Sequence, residues 1–361
     1  MNRNSFLGVL APASAGVFFW LLLVTLALPA TPARAEKAVV TVPATMQPVA
    51  VPASVAAEAE GLALLRAAGE AWRTGNFRGR LVYVRGNRMD SMQVVHAVFD
   101  GVEHERISHL DDSATEIIRR GNDTVSVHSD RRMTQFEVAG AAGVFHPFAV
   151  PGIDIGRVYS VQRRGATRVA GRSAELLDIV PRDANRHGYR LCLDSVTRLP
   201  VRYEVLSRNG RTLESVEFLD IETGISVPRE MFDAPGGGRS ASVTRVADAP
   251  MPAVVPSWLP EGFRVTGSRA HQAGAQEPVS AVTYSDGLAA FSFFVERATA
   301  AAKPMGQQVG PTVVVSGVLD AAQAGRFLVT LVGELPAGTA VKIVESARLS
   351  AAKAKPAGAA P

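Results

Sequence analysis

One short run concentrates side chains that could hold a metal: Glu103-His104-Glu105-Arg106-Ile107-Ser108-His109. Imidazole nitrogens and carboxylate oxygens are zinc ligands, and a site needs three or four of them converging on one point. The segment reads as a strand, however, and alternate side chains of a strand face opposite ways. His104 then lies across from Glu105 and His109, no convergent set forms, and a solvated strand face is the expectation. The other histidines, His96, His128, His146, His187 and His271, stand singly among polar neighbours, so no metal site is expected.

Nucleophilic chemistry has as little support. No Gly-x-Ser-x-Gly, Ser-x-x-Lys or His-flanked cysteine occurs in a strand-turn-helix setting, which disfavours an acyl-transfer hydrolase and leaves no catalytic residue to name. The single cysteine, Cys192, excludes an intramolecular disulfide and sits in the alternating run Tyr189 to Asp194, either as a buried strand residue or as a reactive thiol. Gly236 to Gly238 are followed by a polar linker and proline rather than a helix, so no phosphate-binding loop and no cofactor are expected.

Recognition is a better prospect. The arginine pairs Arg119-Arg120, Arg131-Arg132 and Arg163-Arg164 fall at strand ends or hairpins, where guanidinium forks could bind carboxylate or phosphate, or simply blunt exposed edges. Tyr83, Phe99, Phe136, Phe145, Phe148, Tyr159 and Phe218 either fill a core or line the apolar mouth of an incompletely closed barrel. With 38 basic against 34 acidic residues along 361, charge is nearly balanced and nucleic acid is not an expected partner.

The elements that must position these residues follow from periodicity. Arg3, the apolar run Val17 to Leu28 and the small residues of Ala33-Arg34-Ala35 read as a cleavable signal peptide over 1–35, implying export to the periplasm. Residues 36–56 form a Pro/Ala-rich tether. An amphipathic helix is expected from Ala56 to Trp72, after which the period changes to two. Strands are expected at 81–84, 92–99, 102–110, 115–119, 124–128, 133–138, 158–163, 174–180, 189–194, 201–207 and 212–221, with the clearest hairpin at Asn209-Gly210. Consecutive antiparallel strands curling around one helix make an α+β first domain over 57–225. The Pro- and Gly-rich stretch 226–256 is read as a linker, 257–350 as a second domain closed by a helix from Ala340 to Leu349, and 351–361 as a disordered tail.

Several stretches carry a family likeness: Trp258-Leu259-Pro260-Glu261-Gly262-Phe263, Tyr284-Ser285-Asp286-Gly287-Leu288, Val332-Gly333-Glu334-Leu335-Pro336, Arg119-Arg120-Gly121-Asn122, and Leu199-Pro200-Val201-Arg202 through the Asn209-Gly210 hairpin to Glu214. In order and spacing, from Glu58 to Ser350, the sequence resembles the RseB/MucB family, departing from it in the 36–56 tether, the glycines near 236 and the tail. The resemblance implies a LolA/LolB-like unclosed antiparallel β-barrel with helical cover, plus a smaller C-terminal α/β domain. It implies a non-enzymatic periplasmic regulator of a sigma-E (AlgU-type) factor, one that binds the periplasmic domain of an RseA/MucA-type anti-sigma factor and shields it from site-1 proteolysis. Lipid or lipoprotein acyl chains, or lipopolysaccharide, would release it. Partner contacts are expected at Trp258, Tyr284 and Asp286, which look like exposed turn positions, and at Arg119 and Arg120, although core packing and turn chemistry would serve the first three equally. A lipoprotein or lipid carrier is the alternative, and homo-oligomerisation stays open.

Overall fold

A computed structural model describes residues 55–110, 116–121, 123–127, 132–137, 153–234, 239–242, 245–246, 254–271 and 279–350. The expected signal segment, all but the end of the tether, the tail after 350, and Phe145 and Phe148 lie outside those residues.

Helix α1 (Val55–Thr74) buries Leu65, Ala68 and Trp72 and ends where the Gly75 N–H reaches the Ala71 carbonyl at 3.0 Å. The change of period then produces two runs of strands. The first is β1 (Phe77–Arg85), β2 (Arg88–Phe99), β3 (Val102–His109), β4 (Glu116–Arg120), β5 (Asp123–Val127) and β6 (Arg132–Glu137). The second is β7 (Tyr159–Val169), β8 (Arg172–Pro181), β9 (Gly188–Asp194), β10 (Pro200–Leu206) and β11 (Thr212–Thr223). The runs join through β1 and β11, and β12 (Arg239–Ser242) adds in parallel beside β6, giving the order β12-β6-β5-β4-β3-β2-β1-β11-β10-β9-β8-β7.

The end strands do not pair, so the barrel is unclosed, as the resemblance implied. The sheet is nonetheless curved: α1 packs against both β7 and β2, which five other strands separate. Gly61 makes the close approach to β7 feasible, because a Cβ there would stand 2.3 Å from the Val161 carbonyl oxygen. The Asn209-Gly210 hairpin forms as expected, with Gly210 at φ +78°.

The smaller second domain contains β13 (Arg245–Val246), β14 (Val254–Pro256), β15 (Arg264–His271), β16 (Val279–Ser285), β17 (Ala290–Arg297), β18 (Met305–Val309), β19 (Thr312–Asp320), β20 (Arg326–Glu334), helix α2 (Ala337–Glu345) and β21 (Ala347–Leu349). Seven of its strands run in the order β13-β15-β16-β17-β20-β19-β18, and β14 pairs with β21.

Two expectations are corrected. The last helix stops at Glu345 instead of reaching Leu349, because β14 offers a strand partner: Ser346 turns the chain, its hydroxyl donating to the Ile343 carbonyl and its carbonyl accepting from the Ser257 N–H. Leu349 is consequently exposed rather than in the core. Part of the Pro-rich stretch after 225 is also packed, since a 3-10 turn at Arg229–Phe232 sinks the Phe232 ring among Val95, Ala97, Ile118 and Val127 on one face of the large sheet.

Candidate functional site

The charged run on β3 lies in a buried sheet, not on a solvated face. His104 is buried against Phe99 and Phe232, while Glu105 and His109 are buried on the opposite face. Alternation was right and solvation was not, because the 3-10 turn covers one face and the barrel interior occupies the other. Among the described residues no group of three or more His, Cys, Asp or Glu is placed to hold a metal ion.

Strand register aligns a polar row on the interior face, with His96 opposite Glu105, Glu105 opposite Arg119 and Arg119 opposite Thr124. All four are buried, and among the described residues His96 Nε2, Glu105 Oε2, Arg119 Nε and Thr124 Oγ1 have no hydrogen-bond partner. Arg119 donates through Nη2 to Glu103 at 3.3 Å and lies 3.6 Å from Glu105. Burial holds the Glu105 carboxyl above its ordinary range, against the pull of Arg119 and His96. Arg120 points the other way and donates to the Phe232 carbonyl and to Asp233. The Arg119-Arg120 pair is therefore divided between two faces.

The expected aromatic cavity residues part company. Tyr83, Tyr159 and Phe218 are fully buried in the core of the first domain, together with Tyr189 and Tyr203, which the sequence reading did not single out. Phe99 is half-buried, with the Arg229 guanidinium 4.7 Å from its ring centroid. Phe136 lies on β6 in register with Thr124. Cys192 is buried and its thiol is pushed up to about 11, the state of an inert core residue.

Trp258 packs against the second core with the Lys342 ammonium 3.7 Å above its ring, and Tyr284 stacks on Phe291 at 5.0 Å. The exposure expected of Tyr284 and Asp286 is not found: Tyr284 lies on β16 in the core of the second domain, and the turn that follows it docks on the first domain. Gly287 approaches Ile153 and Ile155, and Leu288 enters the first domain's core.

Asp286 is fully buried there. Its Oδ1 accepts from the Leu288 and Ala289 N–H groups, and its Oδ2 accepts from Arg186 at 2.6 Å and from the Tyr159 hydroxyl at 3.0 Å. Burial raises the Asp286 carboxyl, while Arg186 and these donors pull it down. Arg186 is itself fully buried, donates also to Asp183 and to the Glu261 carbonyl, and stands 5.4 Å from the Tyr159 and Phe263 ring centroids. A guanidinium with every neighbour satisfied in this way fixes register more than it adds stability. No signal in the polar loop Arg182 to His187 marks Arg186 as buried. A signal for buried Glu214 was available: it shares the inward period-two face of Val216 and Phe218.

One apolar groove of about 530 Å³ opens between α2 and the β18–β19 hairpin, lined by Met305, Val315, Val318, Val341, Val344 and Ala347.

An unclosed antiparallel sheet wrapped on one helix, locked by a buried ion pair to a smaller sheet domain, defines a two-domain α+β protein. The chain belongs to the MucB/RseB family: the family's N-terminal domain matches residues 60–235 and its C-terminal domain residues 252–348. It is 35% identical to the sigma factor AlgU regulatory protein MucB of Pseudomonas aeruginosa over 85% of this chain and 96% of that one. It is 26% identical to the sigma-E factor regulatory protein RseB of Escherichia coli over 81% and 91% of the two chains. The structure is similar to that of Pseudomonas aeruginosa MucB solved in complex with MucA, with a TM-score of 0.65 and 31% identity over 81% of this chain and all of that one. It is similar also to a crystal structure of MucB, with a TM-score of 0.60 and 29% identity over 82% of this chain and 98% of that one.

Proposed function

We propose that this protein is exported to the periplasm, binds the periplasmic domain of a membrane anti-sigma factor and shields it from site-1 proteolysis, so that an envelope-stress sigma factor stays sequestered. The observation that carries this reading is likeness across both domains, in order, to a regulator whose complex with MucA has been solved. The role itself is binding rather than catalysis, in keeping with relatives named as regulatory proteins. Lipid or lipoprotein acyl chains are the proposed releasing ligand, taken up by the unclosed barrel beside the strand carrying Phe136; Phe99 packs with Phe232 on the opposite face of the sheet and is not part of that mouth. Trp258 and Arg120 are the members of the expected partner surface that retain access to solvent.

The test mixes the mature protein with the periplasmic segment of the cognate anti-sigma factor and the site-1 protease, with and without vesicles or lipopolysaccharide. Protection that lipid abolishes is the expected result. Protection that lipid leaves unchanged would remove the release signal and keep the guard, whereas lipid transfer to acceptor vesicles without protection would favour a carrier.

A further inference from the structure

Glu214 lies at the start of β11 in the first domain and Glu334 at the end of β20 in the second, yet both sit in the field of one cation, Arg85. The domains are in close contact at this point. In the turn between β18 and β19, Gly310 adopts φ +59° and presses on Arg85: a Cβ at 310 would stand 2.6 Å from Arg85 Cγ and 3.1 Å from the Leu213 carbonyl oxygen. Any side chain there would be strained in conformation and would also collide. Thr312, two residues on, pairs directly with Glu334. The hairpin seated on Arg85 is thus laddered to the strand that brings Glu334 to Glu214.

The other titratable groups here are silent around neutral pH. The Tyr83 hydroxyl donates to Glu214 at 2.8 Å, and the Arg85 guanidinium lies 5.5 Å from the Tyr83 ring centroid. Tyr189 and Tyr203 sense the Glu334 charge, and burial keeps all three tyrosines as neutral phenols. His187, beside Leu335 and Pro311, is pushed down to about 4 by burial and is neutral as well. Asp286 is engaged by Arg186 and Tyr159, with Tyr189 standing in the field of both acidic centres. Among the described residues, Arg85 is the cation in whose field both carboxyl groups stand. Glu214 is buried and Glu334 half-buried, so ionising both places like charges together where water screens them only in part, whereas one retained proton relieves the repulsion.

We propose that Glu214 and Glu334 share a proton across the domain interface, so that the two domains are held most tightly at mildly acidic pH and less tightly as that proton is lost. Burial acts first, and for Glu334 the Glu214 charge next, to hold these carboxyls above the ordinary glutamate range. A carboxyl raised in the joined state contributes fully below its free value, and the contribution is lost as pH rises through the raised value. The pair titrates as a unit, so the loss belongs to the contact and not to either residue alone. This inference rests on the domain contact and is independent of what the protein guards.

The experiment uses the full mature chain with fluorophores at Val196→Cys and Val265→Cys, exposed positions on the first and second domains, Cys192 being buried. Energy transfer between them is followed through urea titrations at about pH 5.5 and about pH 8.5. The separation midpoint should fall on going to the higher pH, with the separation equilibrium at fixed urea shifting roughly tenfold for each unit of raised pKa realised. Glu334→Gln and Glu214→Gln keep the size and hydrogen-bonding capacity of the side chains, and each should reduce that pH shift by more than half. A midpoint that does not fall with pH, or one that falls equally in both variants, would overturn the proposal.

Discussion

The Arg186 guanidinium and the Asp286 carboxylate meet at 2.6 Å with neither side chain exposed, one from each domain. A pair this deep forfeits the hydration of both charges, and the Tyr159 hydroxyl, two backbone N–H groups, Asp183 and the Glu261 carbonyl complete the shells that water would have filled. It specifies how the domains join. Arg186→Ala, which leaves Asp286 buried and unpaired, should cost about 3–5 kcal/mol. Replacing both members with apolar residues of similar volume should cost much less. Urea unfolding of the single and double variants checks both expectations, and equal losses would mean that the pair itself stabilises the joint.

Gly61→Ala should destabilise the first domain by about 1–3 kcal/mol, although alanine is the better helix former. The added methyl would collide with the Val161 carbonyl, which is held in a sheet ladder and cannot swing aside. Thermal unfolding is the measurement, and a variant as stable as the parent would show that α1 is free to lift from β7.

Phe232→Ala should cost about 3–5 kcal/mol despite its place in a Pro-rich stretch, because the ring is fully buried and its loss leaves a cavity beside Phe99 and His104. The same variant should speed hydrogen exchange in β4, whose Arg120 side chain holds the Phe232 carbonyl.

Glu105 has a carboxyl raised by burial, so its contribution to stability is present below the ordinary glutamate value and is lost as pH rises through the raised one. Glu105→Gln removes that dependence. Between about pH 4 and pH 7 the variant should lose less stability than the parent, as the difference between their urea midpoints will show.

Cys192 should react with thiol reagents in the native protein only through unfolding. The residue is 2% exposed and its thiol is pushed up to about 11, so little thiolate is present and little of it is accessible. Labelling in native buffer should track the unfolding rate. Prompt labelling would instead mean that the β8–β9–β10 region opens locally.

Local rules carried the sequence reading a long way. Alternation of apolar and polar residues placed the strands from β1 to β11, and turn chemistry such as Asn209-Gly210 joined them, because both are decided within a few residues of chain. The helix before β1 was equally legible from its apolar spacing. Short strands such as β13, β14 and β21 were not, since two or three residues carry no period.

What meets what was decided by tertiary structure. Arg186 and Asp286 are 100 residues apart, and each lies in a polar turn that reads as exposed until the other domain covers it. The β3 run looked solvated because alternation tells which side chains share a face, not whether another segment packs on that face. Phe232, more than a hundred residues later in the chain, covers the His104 face, and the end of α2 is set by β14, some ninety residues earlier in the chain. Periodicity is a property of the chain itself. Burial of a charge depends on which distant segment arrives to satisfy it, and that is fixed only when the two domains close on one another.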